Sequence, residues 1–218
     1  MRKYLLFDLD GTLLNTITDL ANAVNHALSR FGYPTHSEED IMRMVGNGIV
    51  LLLERATPGG KANPDFEAIL AEFRRYYELH KNDYTAPYDG VLEMLSALSA
   101  AGYTIATVSN KIDSAVKALC REQLGDALAL ALGECEGIPR KPAPDMVYAA
   151  LRALGAEKSD AYFVGDSEVD VATAKNSGLP CISVLWGFRS EAELRAVGAD
   201  TFFETPADLA AYLIAEAE

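Results

Sequence analysis

The sequence predicts an α/β fold, a Rossmann-like parallel-sheet core interrupted by a small all-helical insert. Three features carry that prediction. Short apolar runs each end at a polar residue, helical patterns lie between them, and one long stretch has helical periodicity with no convincing strand. In chain order, KYLLF (3–7) ends at Asp8, YTIATV (103–108) ends at Ser109, and AYFV (161–164) runs into Gly165 and Asp166. A fourth run, CISVL (181–185), follows a Gly-Leu-Pro turn. Helical patterns occupy 90–101, 112–123, 145–154 and 168–177. Strands alternating with helices imply βαβ units, and near-continuous apolar strands fit a parallel sheet covered on both faces.

The alternation breaks from about residue 16 to 82. TDLANAVNHALSRFG (18–32) reads as an amphipathic helix stopped by Gly32, and SEEDIMRMVG (37–46) opens with a capping-box pair, Ser37 and Asp40. In DFEAILAEFRRYYELH (65–80), Phe66, Ile69, Leu70, Phe73 and Tyr77 form one apolar stripe, the core of a helical unit. The expected division is therefore a core of residues 1–14 and 84–218 with a helical insert at 15–83.

Composition excludes several classes. Half of the 218 residues are apolar and 23% are charged, as in globular chains. A formal charge of −13 argues against a nucleic-acid binder. The apolar runs are too short to span a bilayer, and Asp8 and Asp10 interrupt the N-terminal one, so neither a membrane segment nor a signal peptide is expected and a cytoplasmic location is. Cys120, Cys135 and Cys181 are odd in number and scattered, as reduced thiols are. His26, His36 and His80 lack metal-binding spacing and read as surface histidines.

In open parallel sheets, ligands bind at the carboxyl ends of the strands. Asp8, Asp10, Ser109 and Asp166 all fall there, and Lys141 lies in the loop GIPRKPAP. Asp8 and Asp10 flank Leu9, so an extended strand would turn both to one side. A carboxylate is a competent nucleophile toward phosphorus, and a neighbour can protonate the leaving oxygen and then activate water. Asp8 and Asp10 fit those two roles. Mg²⁺ takes oxygen ligands, and Asp8 and Asp166 are the expected side-chain ligands, with Asp10 adding its backbone carbonyl. Asp170, one turn beyond Asp166, is placed to bind metal-bound water. Lys141 would neutralise the phosphoryl group, the Ser109 hydroxyl would donate to it, and the N–H groups of Gly11 and Thr12 would bind its oxygens. Each residue has a plainer reading: Asp8 as a turn residue, Asp170 as a solvated helix residue, Ser109-Asn110 as a helix N-cap.

Together DLDGTLL (8–14), Ser109-Asn110, Lys141 in RKPAPD and GDSEVD (165–170) resemble the four motifs of the haloacid dehalogenase-like hydrolase superfamily, in order and over nearly the whole chain. Within it the chain is most similar to the phosphoglycolate phosphatases, through Val45-Gly46-Asn47-Gly48, Ser109-Asn110-Lys111 and Lys141-Pro142. The resemblance implies that the insert is a mobile cap and that the enzyme is an Mg²⁺-dependent phosphatase working through an aspartyl-phosphate on Asp8. The implied partner is a small phosphorylated metabolite, 2-phosphoglycolate first, and the chain a monomer or homodimer. Lys111, Asn110 and the Gly46-Asn47-Gly48 turn are the implied substrate contacts, although two glycines around an asparagine also suit a plain link between helices. Asn15 stands where relatives often carry Asp, and Ser109 where Thr is common. Alternatives on the same scaffold are a sugar-phosphate mutase, a pyrophosphatase or a nucleotidase. A dehalogenase, disfavoured by Asp10, and a non-catalytic phosphate-binding protein lie further off. Trp186-Gly187-Phe188 reads as core packing ahead of a loop at the site.

Overall fold

The structure, a computed structural model, describes residues 2–217, which form two units, 2–14 with 87–217 and 15–86. In the first unit β1 (Tyr4–Phe7) is central to a six-stranded sheet with β4 (Thr104–Ile112), β5 (Leu130–Glu134), β6 (Ala161–Gly165), β7 (Cys181–Val184) and β8 (Phe202–Phe203). The order is β5-β4-β1-β6-β7-β8 and each pairing is parallel. Tyr4 sits opposite Thr104 on one side and Ala161 on the other. Two-residue strands β2 (Leu14–Asn15) and β3 (Ala86–Pro87) lie where the chain leaves this unit and returns.

The period of two along the strands divides the core between the two faces. Leu5, Phe7, Ile105, Tyr162 and Val164 pack on one side with residues of α5 (Val91–Ala100), α6 (Asp113–Leu119) and α10 (Pro206–Ala217). Leu6, Ala106, Val108 and Phe163 pack on the other with residues of α7 (Asp145–Leu154) and α8 (Glu168–Ser177). Each fully buried Leu or Phe in these layers contributes about 1.5–3 kcal/mol. A short α9 (Glu191–Ala196) adds a small cluster through Leu194.

The second unit consists of α1 (Ile17–Arg30), α2 (Glu38–Met44), α3 (Ile49–Ala56) and α4 (Phe66–His80). The capping box at Ser37 and Asp40 forms, and α1 packs along α4. Phe66, Ile69, Leu70, Phe73 and Tyr77 are the buried face of α4. Among the described residues no helix is long and apolar enough to cross a membrane.

Two expectations need correction. The core resumes at residue 87 rather than 84, because the buried carboxylate of Asp19 in α1 accepts the N–H groups of Tyr84 and Thr85 and the Thr85 hydroxyl. Those bonds hold 84 and 85 in the helical unit. The second apolar strand also does not stop at 108. It continues to Ile112 with a shift of register after Val108, so Ser109, Asn110 and Lys111 are strand residues. The helix after it starts at Asp113, with Ile112 at the cap position, and gives way to a π-helical turn at Cys120–Leu124. Ser109 and Asn110 are therefore not its N-cap.

Candidate active site

The sheet changes direction at β1: its chain continues to β4 and β5 on one side, then returns to β6 on the other. Side chains following β1 and β6 therefore converge at one crevice. Asp8 follows β1 directly, its N–H donating to the Val164 carbonyl of β6 at 2.8 Å. The strand does not continue to Asp10. Leu9 N–H closes on Asp8 Oδ1 at 2.7 Å and the chain turns, with Leu13 and Leu14 N–H groups returning to the Leu9 carbonyl.

Lys141, delivered by the loop before α7, bridges two carboxylates: its Nζ is 2.8 Å from Asp8 Oδ1 and 2.8 Å from Asp170 Oδ1. Asn110 Nδ2 donates to the Lys141 carbonyl at 2.9 Å, which ties that loop to β4. Asp170 is at the third position of α8 and completes a capping box, with Oδ2 accepting the Ser167 hydroxyl at 2.6 Å and the Ser167 N–H at 3.1 Å. Gly165 lets this carboxylate lie against the strand, since a Cβ there would collide with it. Asp166 Oδ1 accepts the Thr12 hydroxyl at 3.0 Å, and Oδ2 the Phe188 N–H at 2.7 Å. Lys111, farther along β4, places Nζ 2.7 Å from Asp10 Oδ1. Ser109 Oγ accepts the Lys111 N–H at 3.2 Å, which leaves its own O–H to donate.

Oxygens of Asp8, Asp166 and Asp170 come within 4.8 Å of one another, all three residues buried. Burial, then the charge of Asp170, pushes the Asp8 carboxyl well above its usual range, against the pull of Lys141. The same two causes push Asp166 up to about 7, against the Phe188 N–H and the Thr12 hydroxyl. Burial disfavours the charge on Lys141, but Asp170 and Asp8 outweigh it and hold the ammonium firmly protonated. The donors are hard oxygens in a cluster short of positive charge, and a divalent cation fits both properties.

A model of the haloacid dehalogenase-like hydrolase family matches residues 5–184. The chain belongs to that family. Its similarity runs to the phosphatases among these hydrolases. A phosphoglycolate phosphatase of Rhodospirillum rubrum is 35% identical over 98% of this chain and 91% of its own. One from Pseudomonas syringae pv. tomato is 34% identical over 85% of this chain and 70% of its own. A Lactobacillus delbrueckii subsp. bulgaricus crystal structure of a candidate phosphoglycolate phosphatase superposes with a TM-score of 0.93 at 33% identity, covering 98% of this chain and 99% of that one.

Of the residues singled out in sequence, Asp8, Asp10, Gly11, Thr12, Ser109, Asn110, Lys111, Lys141, Asp166 and Asp170 all lie in the hydrolase unit, at or beside this crevice. Their contacts revise several roles. Gly11 and Thr12 do not offer free N–H groups to a phosphate. Gly11 N–H donates to the Leu14 carbonyl and Thr12 N–H to that of Leu9, closing the turn. Gly11 instead, at φ +84, lets Asp166 and the Phe188 ring approach where a Cβ would collide with both. The side chain of Asp10 lies outside the three-carboxylate group and is paired with Lys111. Asp170, read as a partner for metal-bound water, stands inside that group and holds Lys141.

Gly46, Asn47 and Gly48 belong to the helical unit, where Gly46 and Gly48 have positive φ and Gly48 precedes α3. Trp186 packs against the core as expected, and Trp186-Gly187-Phe188 also reaches the site. Trp186 Nε1 donates to the Thr12 carbonyl at 2.9 Å, Gly187 abuts Asp166 and the Gly11 carbonyl, and Phe188 binds Asp166. An aromatic-Gly-aromatic loop directly after a parallel strand was the signal available. The histidines stay structural: His26 pairs with Glu72, His36 with the Ala56 carbonyl and His80 with Asp83.

Proposed function

We propose that this chain is an Mg²⁺-dependent phosphatase that cleaves a small phosphomonoester, 2-phosphoglycolate first among them, through an aspartyl-phosphate on Asp8. The observation that carries the reading is the Lys141 ammonium 2.8 Å from both Asp8 and Asp170, with Asp166 in the same carboxylate group. The identity of the substrate is supported by the relatives named above, which are phosphoglycolate phosphatases.

Asp8 and Asp166, with the Asp10 carbonyl, would hold a magnesium ion, and that ion would supply positive charge for the phosphoryl oxygens. Asp8 is the nucleophile: a carboxylate oxygen bonds to phosphorus as the bond to the leaving oxygen breaks. Lys141 holds that carboxylate in place and favours its ionised form. The Ser109 hydroxyl donates to a phosphoryl oxygen, with its lone pair fixed by the Lys111 N–H. Asp10 gives its proton to the leaving alcohol, then takes one from the water that attacks phosphorus and frees Asp8. Asp170 fixes the lysine and Thr12 fixes Asp166, so the groups are set before substrate arrives. The helical unit acts as the cap that selects substrate, with Gly46-Asn47-Gly48 as its contact turn.

Asp8→Asn should abolish turnover of both 2-phosphoglycolate and p-nitrophenyl phosphate while leaving the circular dichroism spectrum and melting transition intact. Full activity in that variant refutes the nucleophile. EDTA should silence the wild type and Mg²⁺ restore it.

A further inference from the structure

We propose that Lys111 positions Asp10, and that a second anionic group on the leaving side of the substrate draws Lys111 away and so releases Asp10 for proton transfer. The inference rests on the phosphatase reading and adds the substrate class it selects, phosphomonoesters whose leaving alcohol carries a carboxylate or another anion.

The pair is not an incidental surface contact. Its partners are 101 residues apart in sequence, one in β4 and one in the turn after β1, and their side chains are only 4% and 15% exposed. With little water to compete, a charge-assisted bond of 2.7 Å fixes both groups. A general acid must come within about 2.6–3.2 Å of the leaving oxygen. In the free enzyme one Asp10 oxygen is instead committed to an ammonium, so the acid is oriented but engaged.

The leaving oxygen must lie against Asp10, so a carboxylate two bonds away from that oxygen lies within a few ångströms of Lys111 as well. The lysine stem has four rotatable carbons and covers that distance by changing rotamer. The ammonium then exchanges one carboxylate for another, and Asp10, left without its cation, takes a proton from solvent and turns to the leaving oxygen as the neutral acid. A neutral alcohol offers no such exchange and leaves Asp10 engaged. Binding energy from the part of the substrate remote from phosphorus is thus expressed in the chemical step, in kcat and not only in KM.

The test compares 2-phosphoglycolate with ethyl phosphate, which lacks the carboxylate. The wild type should favour 2-phosphoglycolate in kcat as well as KM. Lys111→Met should reduce that preference in kcat/KM about 10- to 100-fold, the worth of a charge-assisted bond, and Lys111→Arg should recover most of it. Acetate added with ethyl phosphate should raise the kcat of the wild type several-fold and leave Lys111→Met unaffected. If Lys111→Met slows both esters by one common factor, or acetate has no effect on the wild type, the inference is overturned. The acetate arm decides on its own should Lys111→Met fail to fold. These outcomes are separable from failure of the phosphatase reading, in which the wild type hydrolyses neither ester or Asp8→Asn remains fully active.

Discussion

Asp166→Asn in metal-free protein should stabilise the fold at neutral pH, which is unusual for a change at a buried, fully hydrogen-bonded residue. Its carboxyl titrates at about 7 in the folded chain against 3.8 as the reference value. Below pH 4 both states are protonated and nothing is lost. As pH rises toward 7 the unfolded chain releases the proton and the folded chain keeps it, so stability falls across that window. The difference corresponds to about 4 kcal/mol. Asparagine keeps most of the local bonding: its carbonyl can accept the Phe188 N–H, and its amide can donate to a Thr12 hydroxyl that rotates to receive it. Imperfect replacement of the carboxyl's bonds by those of an amide returns about 1–2 kcal/mol of the gain. A net stabilisation of about 2 kcal/mol is therefore expected at pH 7–8, shrinking to nothing or reversing near pH 4. Urea denaturation in EDTA from pH 4 to 8 measures it. Mg²⁺ should raise the midpoint of the wild type by mass action and have much less effect on the variant. A difference between variant and wild type that does not change with pH refutes the argument.

Three further changes probe other parts of the molecule. Gly11→Ala introduces a Cβ at φ +84 against Asp166 and Phe188, and should destabilise by about 1–3 kcal/mol and sharply reduce turnover, as read by thermal melting and phosphate release. Asp19→Asn removes a buried charge that accepts the N–H groups of Tyr84 and Thr85 and the Thr85 hydroxyl; about 2 kcal/mol should be lost, with faster amide exchange at 84 and 85. Arg75, then His26, holds Glu72 down at about 2 against a reference of 4.5. That stability is present above pH 4.5 and lost as pH falls toward 2. Glu72→Gln should accordingly lower the melting temperature at pH 7 by the equivalent of about 1 kcal/mol, because its arginine partners are solvated, and should match wild type near pH 2.

The strands and the acidic residues were legible for one reason. Apolar runs such as YLLF and AYFV must be buried, and an aspartate directly after one is placed at the sheet's carboxyl end whatever else the chain does. Contacts across long sequence distances were not legible. Nothing local to Lys111 says that it meets Asp10, and nothing local to Thr12 says that its hydroxyl turns to Asp166 rather than to a ligand. The continuation of β4 through Ser109-Asn110-Lys111 was hidden because those residues are polar, yet they are buried where the register shifts. In IVLLLERA, which forms α3, five apolar residues run consecutively, and in a segment of eight residues that does not tell helix from strand. The return to the core at 87 depends on a carboxylate 65 residues upstream of Tyr84.

The pairing of charges explains why these positions act as one unit. Four carboxylates, Asp8, Asp10, Asp166 and Asp170, meet two ammonium groups, Lys111 and Lys141, which leaves the cluster short of positive charge. The shortfall is not shared evenly. Lys141 serves Asp8 and Asp170, Lys111 serves Asp10, and Asp166 accepts a hydroxyl and a backbone N–H, with the charge of Arg189 also acting on it. Asp8 and Asp166 are therefore the carboxylates whose ionisation depends most on a cation from outside the chain. Lys141, which burial does not discharge, favours the ionised form of Asp8 without overcoming the burial of that carboxyl. A nucleophile and a neighbouring ligand both left short of positive charge are what is expected of a site that assembles fully only when a divalent ion is bound.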